Sequence, residues 1–274
     1  MFRAVVLLVV VTSSTSAQSP ELRFQWPRGQ AMEYRVVQNT KVRETTVDEK
    51  GMKPTTAEVA TSLTLTKRWS IREVDAAGTA TMDLSITQMR QAVTQGDGKA
   101  TTIDSANPDD AKQMAAYLNK PVLTLRVDPR GQILEVKEAR PGSASRIQSE
   151  LPFRMVLPEM AVAAGQTWAR PFTLTLDPPH GTGERYDATQ TFSFKGEKQG
   201  LATIRLETSL KNAPATASEK IPLIPMLWSG ELVFDIAAGR FHSAQLSAKA
   251  ELANHQGEGT KFVYESVYTE EAVR

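Results

Sequence analysis

The sequence predicts a mainly β protein made of two tandem curved antiparallel sheets or half-barrels, with one amphipathic helix packed on the first sheet. Three observations lead to this prediction. Apolar and polar residues alternate in short runs along most of the chain, which is the period of a half-buried strand. Turn-forming residues separate these runs. A hairpin pattern at residues 123–139 returns at residues 232–248, so the chain is expected to contain two related halves.

The hairpin at residues 123–139 is the clearest of these units. Its first strand alternates apolar and polar residues from Leu123 onwards, and the next four residues, Asp128-Pro-Arg-Gly131, have type I turn chemistry. The copy at residues 232–248 has the same alternation and a turn that is one residue longer. We therefore expect each copy to be an antiparallel pair with one buried face.

The other strands are predicted from the same alternation. Residues 18–25 are expected to form a short tail, and residues 177–183 a loop, because two prolines and two glycines exclude a central strand. In chain order, the predicted strands are residues 32–36, 41–48, 63–72, 79–87, 172–176, 191–195, 202–207 and 262–268.

One well-marked helix is predicted at residues 107–119. Asn107 can cap its first turn, and Pro108 suits the first helical position. Its apolar residues recur at the i, i+3, i+4 and i+7 spacing, so one face should pack against the first sheet. These residues are Ala111, Met114, Ala115 and Leu118. A second short helix is predicted at residues 143–150.

The start of the chain has the pattern of a signal peptide. Arg3 precedes an apolar run at residues 4–11, and Thr15-Ser-Ala17 suits a cleavage site. The run is much shorter than the ~20 apolar residues that a membrane-spanning helix needs. We therefore expect a signal peptide at residues 1–17, a first β-repeat at residues 18–150 that contains the helix, and a second β-repeat at residues 151–274.

Composition and charge narrow the compartment and the partners. The 274-residue chain has no cysteine, so an exported fold would be stabilised by its core alone, which favours a bacterial origin. The formal charge is +1 and falls to 0 when Arg3 is removed with the signal peptide. A neutral chain without a basic cluster argues against nucleic acid as a partner. The sequence thus predicts an extracytoplasmic protein, periplasmic or secreted, with no membrane span after cleavage.

The two halves match in the order of their elements, which predicts a duplication. The alternative is that antiparallel meanders resemble one another by chance. The matching segments are Gly29-Gln30 with Gly165-Gln166, residues 69–84 with 192–206, and the two hairpins.

Two stretches of the sequence carry a resemblance to known proteins. Residues 22–26, Leu-Arg-Phe-Gln-Trp, precede Gly29, and a P-x-x-x-V-x-x-G-x-x-W pattern runs from Pro158 to Trp168. In both, the chain resembles a group of exported bacterial β-rich proteins of unknown function, over most of its mature length. The resemblance implies the compartment and a tandem half-barrel fold, but no activity. A more distant likeness, in element pattern alone, is to periplasmic lipoprotein carriers, whose curved antiparallel sheet is lidded by helices and holds acyl chains.

No set of residues has the spacing of a catalytic or metal site. The three histidines, His180, His242 and His255, lie far apart and are expected to face solvent. The H-E-x-x-H, P-loop and nucleophile-elbow motifs are absent. The sequence therefore predicts no catalytic residues, no metal and no cofactor, and it favours a non-enzymatic role.

Large apolar side chains are the candidates for ligand contact. The tryptophans are expected chiefly to fill core space, and the alternative is that some of them line a cavity between the sheet and the helix. We therefore predict an exported binding module for a hydrophobic ligand or a lipidated protein; the alternative is a structural or protein-interaction module of the cell envelope without a cavity. The candidate ligand-binding residues are Trp69, Met82, Met114, Leu118, Trp168 and Trp228.

Overall fold

The computed structural model describes residues 19–48, 53–140, 155–176, 178 and 181–273. Within these ranges twelve strands form one open antiparallel sheet, which confirms the predicted mainly β class. None of the helices in these ranges is long and apolar enough to cross a membrane. The predicted signal peptide, the short helix at residues 143–150 and the boundary at residues 150–151 lie outside the described residues.

The elements follow one another as a long meander. The strands are β1 (Ala31–Val47), β2 (Pro54–Val74), β3 (Ala80–Gln95), β4 (Ala100–Asp104), β5 (Pro121–Val127), β6 (Ile133–Ala139), β7 (Thr167–Leu176), β8 (Glu184–Lys198), β9 (Leu201–Leu210), β10 (Ser229–Asp235), β11 (Arg240–Ala253) and β12 (Lys261–Ala272). The helices are α1 (Pro108–Met114) and α2 (Ala217–Lys220), and α2 continues into a 3-10 helix, Ile221–Met226.

The two predicted sheets are joined into one. The strand order is β6-β5-β3-β2-β1-β12-β11-β10-β9-β8-β7, with β4 also paired to β3. The junction is the antiparallel pair of β1 and β12, which runs from Tyr34 opposite Ala272 to Thr45 opposite Lys261. Both strands are long, and apolar and polar residues alternate along them. The backbone N–H and C=O groups at the edge of each strand pair with those of the other. β1 and β12, the first and last strands of the described residues, therefore close the seam between the halves.

Strand order is the same within each half. β1, β2, β3, β5 and β6 neighbour one another in sequence order, and so do β7 to β12. The predicted matches place β1 with β7, the β2–β3 pair with the β8–β9 pair, and the β5–β6 hairpin with the β10–β11 hairpin. This order agrees with a duplication, which stays a prediction until the halves are superimposed.

Aspartates begin the turns that connect three of the hairpins. The Asp128 side chain accepts hydrogen bonds from the backbone N–H groups of Arg130 and Gln132, both at 2.8 Å. Asp75 accepts two such bonds in the β2–β3 turn, and Asp235 accepts one in the β10–β11 turn. The turn chemistry predicted for the first hairpin is thus present, because a short carboxylate satisfies the backbone donors of a tight turn.

The core lies on one face of the sheet, here called the inner face, which carries Tyr34, Val36 and Trp69. The sheet curves around it, since the Tyr34 hydroxyl on β1 donates to the carbonyl of Phe241 on β11 at 3.2 Å, across β12. One main apolar cluster draws side chains from both halves. Burial of this common cluster is the main force that stabilises the curved sheet.

The segment predicted as a tail is a strut between the two hairpins. Phe24 donates its backbone N–H to Pro129 at 2.7 Å, and Gln25 donates to Gly239 at the same distance, so the turns of both hairpins meet here. The Phe24 ring stacks on Trp26 at 4.6 Å and meets the edge of Phe234 at 5.2 Å. The tail prediction was therefore wrong for residues 22–25, because alternate side chains of this segment enter the core.

Helix α1 is shorter than predicted and ends at Met114 instead of residue 119. Asn107 caps its first turn as expected, by accepting the N–H of Asp109 at 2.9 Å. The chain then leaves the helix because the N–H of Asn119 donates to Ile86 on β3 at 2.8 Å, and Asn119 adopts a φ of 56°. A residue pinned to a strand in the left-handed region cannot continue a helix.

Candidate ligand-binding site

A cavity of about 950 Å³ lies on the outer face of the sheet. Its floor consists of side chains from alternate positions of β1, β2 and β3, which point away from the core. Its wall is the segment of residues 104–119, which contains α1. The floor residues include Glu33, Arg35, Thr64, Thr66, Arg68, Gln88 and Arg90. This volume lies in the range of about 300–1,000 Å³ that is typical of small-molecule sites.

The wall of the cavity is fixed to β3 at both ends, and we call residues 105–119 the arch. At its start, Ser105 donates its N–H to the carbonyl of Met89 at 2.8 Å and accepts the N–H of Met89 on its hydroxyl at 2.9 Å. At its end, Asn119 donates to Ile86. Two backbone anchors on one strand hold the arch over the sheet, so the cavity is a built feature of the fold.

Further contacts hold both ends of the arch. Asp104, just before it, accepts the N–H of Ala106 at 2.9 Å, and Asp110 accepts the N–H of Asp104 at the same distance. Arg140 donates to the carbonyl of Ala116 at 2.5 Å, and its guanidinium lies 5.4 Å from the centre of the Tyr117 ring. These bonds hold the arch in place before a ligand arrives, so ligand binding costs less conformational entropy.

Five charged side chains line the cavity, and four of them form two ion pairs. Arg68 contacts Glu33 through Nε at 2.7 Å and Nη2 at 2.5 Å. Arg90 Nε lies 3.4 Å from the Asp104 carboxylate. The fifth is Arg35, for which the described structure shows no ion pair or side-chain hydrogen bond. The lining therefore carries an excess of one positive charge.

Apolar groups complete the lining. Ala106, Ala111 and Leu118 contribute from the wall, while Met89 and Val273 lie at the sheet side. A site that combines apolar walls with a few charged groups suits an amphiphilic molecule, because its two parts are satisfied by different walls. No histidine belongs to this lining as described, and the chain contains no cysteine.

The six sequence-predicted ligand residues are divided by the structure. Only Leu118 borders this cavity, where it also bridges to Ile86. Trp69, Met82 and Trp228 are buried in the core on the inner face. Met114 is the buried last residue of α1. Trp168 is half-buried and stacked on Phe192 at 5.4 Å, and its indole N–H donates to the carbonyl of Val156 at 2.7 Å. Ligand contact by these residues stays a prediction.

Sequence reasoning did not find the charged floor. Glu33, Arg35 and Arg68 were recognised only as the polar partners in alternating strands, which describes any solvated face. Their convergence depends on the pairing of β1 with β2, where Glu33 lies opposite Arg68 and Arg35 opposite Thr66. That register, and the arch above it, could not be derived from single-strand periodicity.

A second charged cluster is enclosed in the core. Lys67 Nζ lies 2.9 and 3.0 Å from the two carboxylate oxygens of Glu270, and both side chains are almost fully buried. The Tyr268 hydroxyl also donates to Glu270. Burial, and next the charge of Glu270, raise the pKa of the neighbouring Tyr34 phenol well above its usual 10.0, so it stays protonated. This cluster has no access for a substrate and serves the fold.

The histidines do not form a site either. His255 is buried, contrary to the prediction that it faces solvent, and its Nε2 lies 2.8 Å from the Glu44 carboxylate. His242 is half-buried beside Ser243, and His180 lies outside the described residues. Across the described ranges, no group of three or more His, Asp or Glu side chains could hold a metal ion.

Comparisons with known proteins give a distant likeness at most. No protein-family model matches the chain, so none supports the predicted resemblance, and no curated protein matches it. The chain is similar to a solved structure described as lipid–protein interactions in lipovitellin, at 13% identity and a TM-score of 0.49, over 91% of this chain and 26% of that one. It is also similar to DynF from the dynemicin biosynthesis pathway of Micromonospora chersina, at 8% identity and a TM-score of 0.23, over 93% and 86% of the two chains. The chain thus spans about a quarter of the lipovitellin chain. Because both TM-scores lie below 0.5, neither likeness enters the argument about function.

Proposed function

We propose that this protein is a non-enzymatic, exported binding module that holds a hydrophobic, lipid-like ligand in the cavity under the arch. The observation that carries the proposal is the cavity itself, with its volume of about 950 Å³ and its anchored wall. Its described lining offers no nucleophile paired with a base, so it is better suited to binding than to chemistry. Export is proposed from the signal-peptide pattern at residues 1–17.

The test is to fill the cavity from its wall. We expect Leu118→Trp to weaken binding of the neutral fluorescent probe Nile red at least about tenfold, because the larger ring occupies the space that the probe needs. The matched control is Leu134→Trp, the same change at a 52% exposed position on β6 outside the cavity. If Nile red binds the native chain and Leu118→Trp with the same affinity, the ligand is not held in this cavity and the proposed site is wrong.

The natural ligand is accessible to native mass spectrometry of protein purified from its host. We expect a bound mass that is lost in Leu118→Trp and kept in Leu134→Trp. The same spectra report whether residues 1–17 have been removed. Repeated absence of any bound mass, together with no binding of Nile red, would contradict the proposed function.

A protein-interaction role is the second candidate, and one observation favours it. β6 is an edge strand with six of its seven residues exposed, including Leu134 at 52% and Val136 at 38%. An exposed edge of this kind can accept a further strand from a partner. Val136→Pro should abolish partner capture in a pull-down from envelope extract and leave Nile red binding intact, which separates the two roles.

A further inference from the structure

Arg35 stands apart from the other charges in the cavity. Arg68 is held by Glu33, and Arg90 is held by Asp104, so each of these guanidinium groups is already paired. Arg35 lies on the same outer face, opposite Thr66 on β2. Its guanidinium has no ion-pair partner among the described residues.

One carboxylate lies at a position in the sheet from which it could act as the ion-pair partner of Arg35. Glu271 lies directly opposite Arg35 on β12, and both side chains are on the outer face. No ion pair within 4.0 Å links them in the described structure. Arg35 belongs to the cavity lining and Glu271 does not, so the side chain of Arg35 is available to the cavity.

A guanidinium group in a cavity that also has apolar walls selects one class of ligand. Its planar fork donates two parallel hydrogen bonds to a carboxylate, and this arrangement is stronger and more directional than a single point charge. The apolar groups of the arch, among them Leu118 and Ala111, offer contact to a hydrocarbon chain. Within the described lining, the Arg68–Glu33 and Arg90–Asp104 pairs leave only Arg35 without an ion-pair partner.

Resting on the proposed function, we infer that the cavity binds a long-chain carboxylate and that Arg35 recognises its head group. The positive excess of the lining is thereby balanced, since one anionic head group compensates the one cation that has no ion-pair partner in the lining. The hydrocarbon chain supplies most of the affinity, and Arg35 supplies the discrimination between an anionic and a neutral head.

The experiment compares two ligands that differ only in the head group. Dodecanoate and 1-dodecanol are titrated below their aggregation limits at pH 7.5 against bound Nile red, with the full mature chain. We expect dodecanoate to bind about tenfold more tightly than dodecanol, the size of a modest charge-assisted contact. Arg35→Gln should remove that preference by weakening dodecanoate about tenfold, while dodecanol changes less than about twofold.

Two variants control for charge and for geometry. Arg185→Gln removes the same charge from an exposed position outside the cavity, so it should leave both affinities unchanged. Arg35→Lys keeps the charge without the fork and should restore only part of the preference. The unfolding midpoint of each variant is measured first, and Arg35 is exposed, so these midpoints should match that of the native chain.

The outcomes distinguish the inference from the proposal beneath it. If both ligands bind with equal affinity to the native chain, or if Arg35→Gln weakens both alike, the head-group inference is overturned and the binding function stands. If neither ligand nor Nile red binds, the proposed function itself fails. Equal losses in Arg35→Gln and Arg185→Gln would show a general charge effect and would also overturn the inference.

Discussion

Lys67 and Glu270 illustrate how a single pair of side chains can tie the sheet together. Lys67 on β2 lies opposite Tyr34, and Glu270 on β12 lies opposite Val36, so the pair reaches over β1 on the inner face. Strands two places apart in a flat sheet are separated by about 9.5 Å. Their charged groups meet at 2.9 Å because the side chains are long and the sheet is curved.

Removing one partner of this pair should be costly. We expect Lys67→Met to lower the free energy of unfolding by about 3–5 kcal/mol, because the Glu270 carboxylate is then left buried without its counter-charge. Urea unfolding at pH 7 measures the change. The control is the double variant Lys67→Met with Glu270→Leu, which removes both charges and should recover most of the loss. A cost below about 1 kcal/mol for the single variant would show that the pair is not needed.

The turn aspartate Asp75 gives a prediction about pH. The backbone N–H of Thr79 donates to its carboxylate, with help from Ala77 and Arg126, and these bonds hold the pKa of Asp75 below its ordinary 3.8. A carboxyl with a lowered pKa in the folded state contributes stability above the unfolded value, and this contribution is lost as the pH falls through the folded value.

Asp75→Asn tests this contribution directly. We expect the variant to be less stable than the native chain at pH 7, and the difference between them to shrink as the pH falls from about 5 to about 3. Thermal unfolding at a series of pH values measures it. A difference that stays constant over this range would mean that the negative charge of Asp75 does not contribute to stability.

At the scale of the elements, alternation was a sufficient guide to most of the sheet. Alternation correctly predicted strands on both sides of Gly78 and Gly131, and β2, β3 and β5 each carry buried core residues. The buried face expected for β6 was wrong, because this edge strand leaves six of its seven residues exposed. Alternation also failed where the strand is polar on both faces. Residues 32–36 and 41–48 were predicted as separate strands, and the structure has one strand, Ala31–Val47, whose second part is only half-buried.

For helix α1, the periodic pattern predicted too long an element. The capping role of Asn107 is confirmed, but the apolar stripe predicted a helix that ends at residue 119, and the helix ends at Met114. Leu118 satisfies the helical spacing and yet forms an isolated β-bridge with Ile86, because the bridge and the backbone bond from Asn119 to β3 outweigh helix propensity. The candidate site depends on this contact with β3, so it could not be predicted from periodicity.

At the scale of the whole molecule, both halves depend on one core. Phe234 from the second half contacts Phe24, which is itself bonded to the hairpin turn of the first half. The main buried cluster includes Trp69 and Phe192, one from each half. Because β1 and β12 also join the halves by backbone pairing, neither half can lose its core without exposing surface of the other. The chain should therefore unfold as one unit.

Phe234→Ala tests this unity. The side chain is fully buried, so its removal should lower the free energy of unfolding by about 3–5 kcal/mol. Native-state hydrogen exchange read by mass spectrometry should show the same loss of protection in peptides from β1–β3 as in peptides from β9–β11, since both exchange through one global opening. Val267→Ala, at a 42% exposed position, is the control and should change stability by less than about 0.5 kcal/mol. Loss of protection confined to peptides from the second half would show that the seam between β1 and β12 does not couple the two halves, which would then have to be stable separately.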